Sequence, residues 1–475
     1  MAYRSGDRSQ QTLLPPSVED YVSSDAPVRA YDAMVEAMDL AAMGFILDRS
    51  KVGNPQYDPK AMLKLLVYGY SYGIRSSRKL ERECHYNLSF IWLVGGLKPD
   101  HKTIAEFRRN NKPALQQVIK QTARICIDLD LIDGNVLFID GTRIRANATI
   151  DNSLTVEKCN DRLAGLDKRI AQLLLDCEAV DATESEQSSL VHLQEKLSDS
   201  KTLKSHIEGV LCRLKEEKRV SLNTTDEECV RMHSRQGTCA GYNGQIAVDG
   251  AQGLIANSDV VAENNDMGQF ATQLHQANAV VDKPYKAACA DAGYASYATL
   301  SQVDLKETDV IVPPQNEILK EPSGPFDKWS FKYDADKDVY ICPEGHELKF
   351  HGINTRDNHR KYYAGKVCQT CRHMGTCTRH RGYEGRSVRR CDNEQLHADL
   401  ERRYAQADAK KIFARRKELV EHPFGHIKRN LNAGYLLLRG LAGARAEMSL
   451  LAGCFNIRRL ITLLGVQGLA ARLQG

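Results

Sequence analysis

The sequence predicts an α/β protein with an all-α N-terminal domain, a helical-hairpin insertion and a cysteine-rich insertion. Three observations predict it. Helical spacing fills residues 28–125, short apolar runs separated by turns and helices fill 136–312, and a charged hairpin and a polar cysteine-bearing stretch interrupt the second part. At 475 residues the chain exceeds one core, so two to four domains are expected.

Residues 1–27 read as a flexible arm and 28–128 as a helical domain. Leu63, Leu66, Val67 and Tyr70 keep helical spacing after Asp58-Pro59, where aspartate caps and proline suits the first turn. A second helix starts at Ser76 or Ser77, with Leu80 and Cys84 on its apolar side; a third follows Pro99-Asp100. Short helices, tight turns and surplus charge point to a helix-turn-helix-type DNA-binding module. Its candidate phosphate contacts are Arg75, Arg78, Lys79, Arg108 and Arg109.

Residues 129–154 and 220–313 form the expected α/β core. Val136 to Ile139 is a buried strand ending in an Asp140-Gly141 turn. NGQIAVDG and GLIANSDV pair through a Gly250–Gly253 turn, and KAACAD is a strand ending at Asp291. Residues 155–219 keep a heptad-like rhythm (Leu163, Leu166, Ile170, Leu173; Leu203, Ile207, Val210, Leu214), a hairpin suited to packing or dimer contact. Residues 314–395 are polar and lack an evident core, and 396–475 return to helix.

Mean hydropathy is −0.44, no apolar run of about 18 residues or more is expected to span a bilayer, and MAYRSGDRSQQTLLPP lacks the apolar centre of a signal peptide. Fourteen cysteines in so long a chain suggest a reducing cytoplasm over a disulfide scaffold. The net charge of +4 is uneven. Residues 60–112 carry 11 Lys/Arg against 4 Asp/Glu, 351–390 carry 10 against 2, and 399–439 carry 10 against 5. Three basic segments point to a polyanion touched in several places, which is how nucleic acid is held.

Asp140, Asp291 and Glu421 stand out as acids: two at strand ends and one in RRKELVEHPFGHIK. Neighbouring strand ends would gather two carboxylates and a helix across that edge would add the third. Hard oxygen ligands suit Mg²⁺ or Mn²⁺, two of which can activate an attacking oxygen and steady a leaving one.

VLFIDGTRIRANA, GYNGQIAVD, NDMGQFATQL, ADAGYAS and RRKELVEHPFGHIKRN, in this order, resemble bacterial insertion-sequence DDE transposases of the IS4/IS5 superfamily, and are most similar to the IS1182 family. The resemblance implies an RNase H-like catalytic core that cuts element ends and joins their 3′-OH groups to target DNA. It implies Asp140, Asp291 and Glu421 as the Mg²⁺ ligands, with Lys428 gripping a phosphate and Glu418 the competing third acid. Arg416, Lys417 and Arg429 are further DNA contacts, and a homodimer on paired terminal repeats in the cytoplasm is expected. Relatives often carry Tyr-Arg-Glu-Lys; here the Arg and Tyr positions hold Lys417 and Ala414. Two alternatives stand beside it: a two-metal nuclease without strand transfer, whose site residues would be identical, and a domesticated DNA-binding protein with inactive chemistry, against which the intact Asp140, Asp291 and Glu421 argue.

Cys342, Cys368, Cys371 and Cys377 follow the spacing C-x25-C-x2-C-x5-C, four thiolates sufficient for a closed zinc site. His346 is an alternative ligand. Zinc would fix this segment and aim its arginines at DNA. A similar cysteine-rich insert between the second aspartate and the glutamate is implied by the IS1182 resemblance.

Overall fold

The computed structural model describes residues 17–47, 56–182, 187–234, 237–314, 325–353, 360–379, 382, 384–390 and 393–474. Seven helices among them precede the first strand: α1 Pro27–Glu36, α2 Pro59–Ser71, α3 Ser77–Tyr86, α4 Leu88–Leu93, α5 His101–Asn110, α6 Lys112–Leu115 and α7 Val118–Asp128. The caps are those the sequence signals. Asp58 accepts from the Lys60 N–H with Pro59 at the first helical position, and Asp100 accepts from the Thr103 N–H at 2.7 Å. Residues 1–16 of the expected arm lie outside the described residues. The rest of that arm is docked: Glu19 pairs with Arg29 at 2.7 Å, and Arg29 stacks over Trp92.

The strands that follow are β1 Val136–Arg145, β2 Ser153–Leu154, β3 Leu222–Asn223, β4 Val230–Ser234, β5 Gly237–Asp249, β6 Ile255–Val261, β7 Ala287–Cys289 and β8 Asp309–Ile311. In the main sheet β6 and β4 pair with β5, which is followed by β1, β7 and β8. The β6–β5 and β5–β1 pairs are antiparallel, while β1–β7 and β7–β8 are parallel. The expected Asp140-Gly141 turn is overturned. β1 runs on to Arg145, with Asp140 opposite Ile246 and Gly141 opposite Gln245. The long partner β5 supplies the ladder, and the glycine marks a close approach rather than a bend.

Helices α8 Val156–Ala182 and α9 Gln187–Glu216 form the expected hairpin, rooted on the β2–β3 pair. Its small core joins Leu166, Ile207, Val210 and Leu214, but Leu203 is 49% exposed, so the apolar rhythm outruns the packing. Helix α10 Phe270–Val281 crosses from β6 to β7, and α11 Tyr297–Leu300 is a single turn.

The cysteine-rich segment is not coreless. Strands β9 Lys332–Asp334, β10 Val339–Ile341, β11 Glu347–Ile353, β12 Arg360–Tyr363 and β13 Ser387–Arg390 make an antiparallel sheet. Phe331, Tyr340, Leu348, Tyr362 and Val388 fill its interior. Its aromatic and β-branched residues are spaced among charges, so these short strands form no apolar run in the sequence.

Helices α12 Glu394–Tyr404 and α13 Ala407–Gly425 lead back to the main sheet, and α14 Leu441–Gln474 closes the chain, broken at Gly465 where φ is 70°. α14 packs on α1, α2, α7 and β6. Its Asn456 both accepts from and donates to the Ile255 backbone at 2.8 Å, sealing the β6 edge. The expectation of no membrane-length apolar stretch is corrected here: Leu441–Leu473 is long and apolar enough by length and composition to cross a membrane, although 56% of its apolar window is buried inside the protein.

Candidate active site

β1 and β7 run parallel with Phe138 opposite Cys289, so two residues further on Asp140 and Asp291 emerge side by side. Asp291 caps the short turn Ala292–Tyr294, its Oδ1 accepting from the Gly293 N–H at 2.8 Å. This fixes the carboxylate and leaves Oδ2 to other partners. Arg416 Nη2 donates to Asp140 Oδ1 at 3.0 Å and to Asp291 Oδ2 at 3.1 Å. One cationic nitrogen therefore bridges the two acids. Burial pushes the Asp140 carboxyl up to about 6; Arg416 opposes this, while Asp291 and Asp266 add to it.

Glu421 does not join the pair. It is exposed on α13, as is Glu418, and the residue that α13 turns toward the aspartates is Arg416. Among the described residues no three His, Cys, Asp or Glu side chains converge closely enough to hold an ion. The expected shared face of Glu421 and Lys428 is also overturned. Pro423 interrupts the helical ladder inside α13, and His426–Asn430 continue as a π-helical turn whose wider winding breaks the seven-residue register. Lys428 nonetheless reaches the acid edge. Its Nζ donates to Thr142 Oγ1, two residues from Asp140. Burial pushes its ammonium pKa down, and Asp140 pulls the other way.

Four residues that the sequence motifs did not single out build the floor. Asp266, in the β6–α10 connection, accepts from Asn243 Nδ2 and Gln245 Nε2, each at 2.7 Å. Tyr294 donates in turn to Gln245 Oε1. The signal was present in GYNGQIAVD: Asn243 and Gln245 are buried amides at alternate positions of a central strand, which need partners.

The expected DNA contacts divide. Arg75 and Arg108 are corrected: they are 4% and 6% exposed and serve the interior. Arg75 pairs with Glu447 and donates to the Asn432 and Tyr435 carbonyls, while Arg108 donates to Tyr70 and to the Arg75 carbonyl. Arg416 is likewise engaged by the two aspartates. Arg78, Lys79, Lys417 and Arg429 are exposed, and Arg109 is exposed with Glu106 3.6 Å away.

Cys342, Cys368, Cys371 and Cys377 line one cavity of about 20 Å³ with His346 and His373. All four are free thiols, and the backbone N–H groups of His346 and Arg386 point at Cys342 Sγ (3.3 Å) and Cys368 Sγ (3.4 Å). The arginines around it are not all aimed outward. Arg386 donates to the Cys377 and Phe326 carbonyls, Arg390 lies 3.7 Å over the Tyr333 ring, and Arg372 pairs with Glu344.

Residues 16–110 match the family model described as transposase domain (DUF772), and residues 341–461 match the model described as transposase DDE domain. The first match spans α1 to α5; the second takes in the cysteine cavity, Arg416, Glu421 and Lys428. No curated protein matches the chain, and no solved structure does.

Proposed function

Because the chain belongs to the insertion-sequence DDE transposases, we propose that it binds the ends of a mobile element, cuts them, and joins the freed 3′-OH groups to target DNA. The observation that carries this reading is the acid pair. Asp140 and Asp291 share one strand edge and already hold a cationic nitrogen between their oxygens. The sheet order β6-β5-β1-β7-β8, antiparallel and then parallel, supports an RNase H-like core. The pairing of the two transposase domains supports the IS1182 family.

The donor set fits a hard divalent cation, since both groups are carboxylates and the place between them accepts positive charge. DDE transposases generally use divalent metal ions. Asp140 and Asp291 would hold Mg²⁺ or Mn²⁺, two ions per site, with Glu421 as third ligand; bound there, the metal supplies an activated attacking oxygen and stabilises the leaving one. For the chain itself this requires Arg416 to withdraw from the pair and α13 to shift, carrying Glu421 toward the sheet edge. Arg416 then becomes free to meet a phosphate. Lys428, poised beside Thr142, holds the phosphate next to the scissile bond, as a point charge that positions it. Exposed Arg78, Lys79, Arg109, Lys417 and Arg429 grip the backbone away from the cut. An element has two ends, so a homodimer supplies one site to each.

The cysteine cavity is read as structural zinc on its donor chemistry: four thiols line one small space, two of them already accepting backbone N–H groups, and zinc would have to draw them together, since as they stand no three are close enough to hold an ion. Bound zinc would close that cavity and hold the β9–β13 sheet in place.

Joining assays with labelled element ends and a target plasmid test the reading. Glu421→Gln is expected to bind ends but neither cut nor join them, while Glu418→Gln acts as the parent. The reverse result would reassign the third acid. Cutting without any joined product under every condition would replace transposition with nuclease action.

A further inference from the structure

We propose that α3 is the helix that reads the sequence of the element's ends: its outer face enters the major groove, Arg82 contacts a base, and Arg78 and Lys79 hold phosphates beside it. This rests on the reading of the chain as a protein that binds element ends.

The two sides of α3 differ in kind. Leu80 and Cys84, four residues apart and fully buried, make its inner side, and the helix packs on α4 and α5. At about 100° per residue, Arg78, Arg82, His85 and Tyr86 fall on the opposite side with Lys79 at its rim, and all five are exposed. The acids of α3 are engaged elsewhere. Glu81 pairs with His101 at 2.8 Å, and Glu83 accepts from Asn87 Nδ2 at 2.9 Å. Among the described residues the side chains of Arg78, Lys79 and Arg82 have no partner. Three unpaired cations beside an exposed ring suit a polyanion that also presents base edges, and a major groove about 12 Å wide admits one helix.

The connection from α2 gives α3 the place of a reading helix, the second of a helix-turn-helix pair. Gly69, inside α2, is where Leu80 of α3 rests: a Cβ there would overlap Leu80 Cδ2 and lie 3.0 Å from the Ile74 carbonyl. Gly73, in the turn, takes a φ of 71°, and a Cβ on it would lie 3.1 Å from the Asn430 carbonyl. Arg75, in the same turn, donates to the Asn432 and Tyr435 carbonyls. Asn430 ends the π-helical turn that carries Lys428 to Thr142, two residues from Asp140. α3 is therefore fixed to the segment that reaches the acid edge, so the bases it reads stand at a set distance from Asp140 and Asp291. Cutting at a defined end requires that register, which makes the element's own end the occupant of this face.

The experiment measures fluorescence anisotropy of the full-length protein on two labelled duplexes, without added Mg²⁺ and over a range of salt. One duplex carries the terminal sequence of the element that encodes the chain; the other carries the same bases scrambled. The parent should prefer the end. Arg82→Ala should lower that preference roughly five- to a hundredfold, the range of one good base contact, with an unchanged melting temperature because the side chain is exposed. Arg82→Lys keeps the charge without the two-pronged donor, so it should bind the scrambled duplex as the parent does and still lose preference. Lys79→Ala should weaken both duplexes alike and lower the salt slope by about one contact. Parental preference in both Arg82 variants, whether or not their salt slope falls, would overturn the proposal alone. A parent that binds both duplexes equally would overturn the reading of the chain as an end-binding protein, and the proposal with it.

Discussion

Arg75→Met separates the two roles that a basic residue in the N-terminal domain can have. Arg75 and Glu447 are 4% and 1% exposed, and the guanidinium donates to Glu447 Oε1 and to two loop carbonyls, those of Asn432 and Tyr435. It thereby ties the end of α2 to the loop between the π-helical turn and α14. Removing one partner of a buried ion pair costs about 3–5 kcal/mol, because the other charge stays buried alone. Glu447 Oε2 keeps the Leu437 and Leu438 N–H groups at 2.6 and 3.0 Å, which favours the lower end of that range. Unfolding entropy of about 2.1 cal/mol/K per residue gives a chain of this length roughly 1 kcal/mol/K, so the melting temperature should fall by on the order of 3 °C. Arg75→Met with Glu447→Gln, which keeps an oxygen for the two N–H groups but no charge, should recover much of the loss. Calorimetry and urea unfolding read stability; end binding against salt reads phosphate contacts. An unchanged melting temperature together with a salt slope lowered by about one contact would refute the structural assignment and return Arg75 to the DNA.

His426 makes stability depend on pH. Burial, with Arg458 and His422 adding to it, pushes its pKa down to about 4 from an ordinary 6.5. The unfolded chain therefore binds a proton that the folded chain refuses, so stability is complete above about pH 6.5 and is lost as pH falls toward 4, by on the order of 2 kcal/mol once partial exposure is allowed for. Unfolding free energies at pH 4.5 and 7.5 should differ less in His426→Gln than in the parent, and an equal difference in both would remove His426 as the cause. The cysteine cavity gives a third prediction. Purified protein should carry about one zinc per chain, and Cys368→Ser with Cys371→Ser should lose it and loosen the β9–β13 sheet, as read by protease sensitivity. A freshly reduced sample without zinc and with an equally resistant sheet would refute it.

The helical domain was legible because its signals are local. Asp58, Asp100 and their following turns do in space what their chemistry implies in sequence. The aspartates were legible for a similar reason, since an apolar run ending in an acid reads as a strand end even where, as at Asp140, the strand in fact continues. What stayed hidden depends on partners far along the chain. Arg75 looks like any surface arginine until Glu447, 372 residues on, is brought beside it. Asp266 sits in a polar connection and acquires meaning only when Gly141 lets it approach. The phase of α13 was misread because the seven-residue rule assumes an unbroken α-helix, and Pro423 with the π-helical turn breaks it. The cysteine-rich sheet was missed because three- and four-residue strands leave almost no periodicity to count.

If Asp140 and Asp291 hold the metal that cuts DNA, exchanging the ligand atom should change which metal works. Asp140→Cys and Asp291→Cys, assayed on labelled element ends, should be inactive with Mg²⁺ and regain cleavage with the more thiophilic Mn²⁺, while the parent works with both. Cleavage by either variant at the parental rate in Mg²⁺ would exclude that aspartate as a metal ligand, because its carboxylate oxygen would then be dispensable.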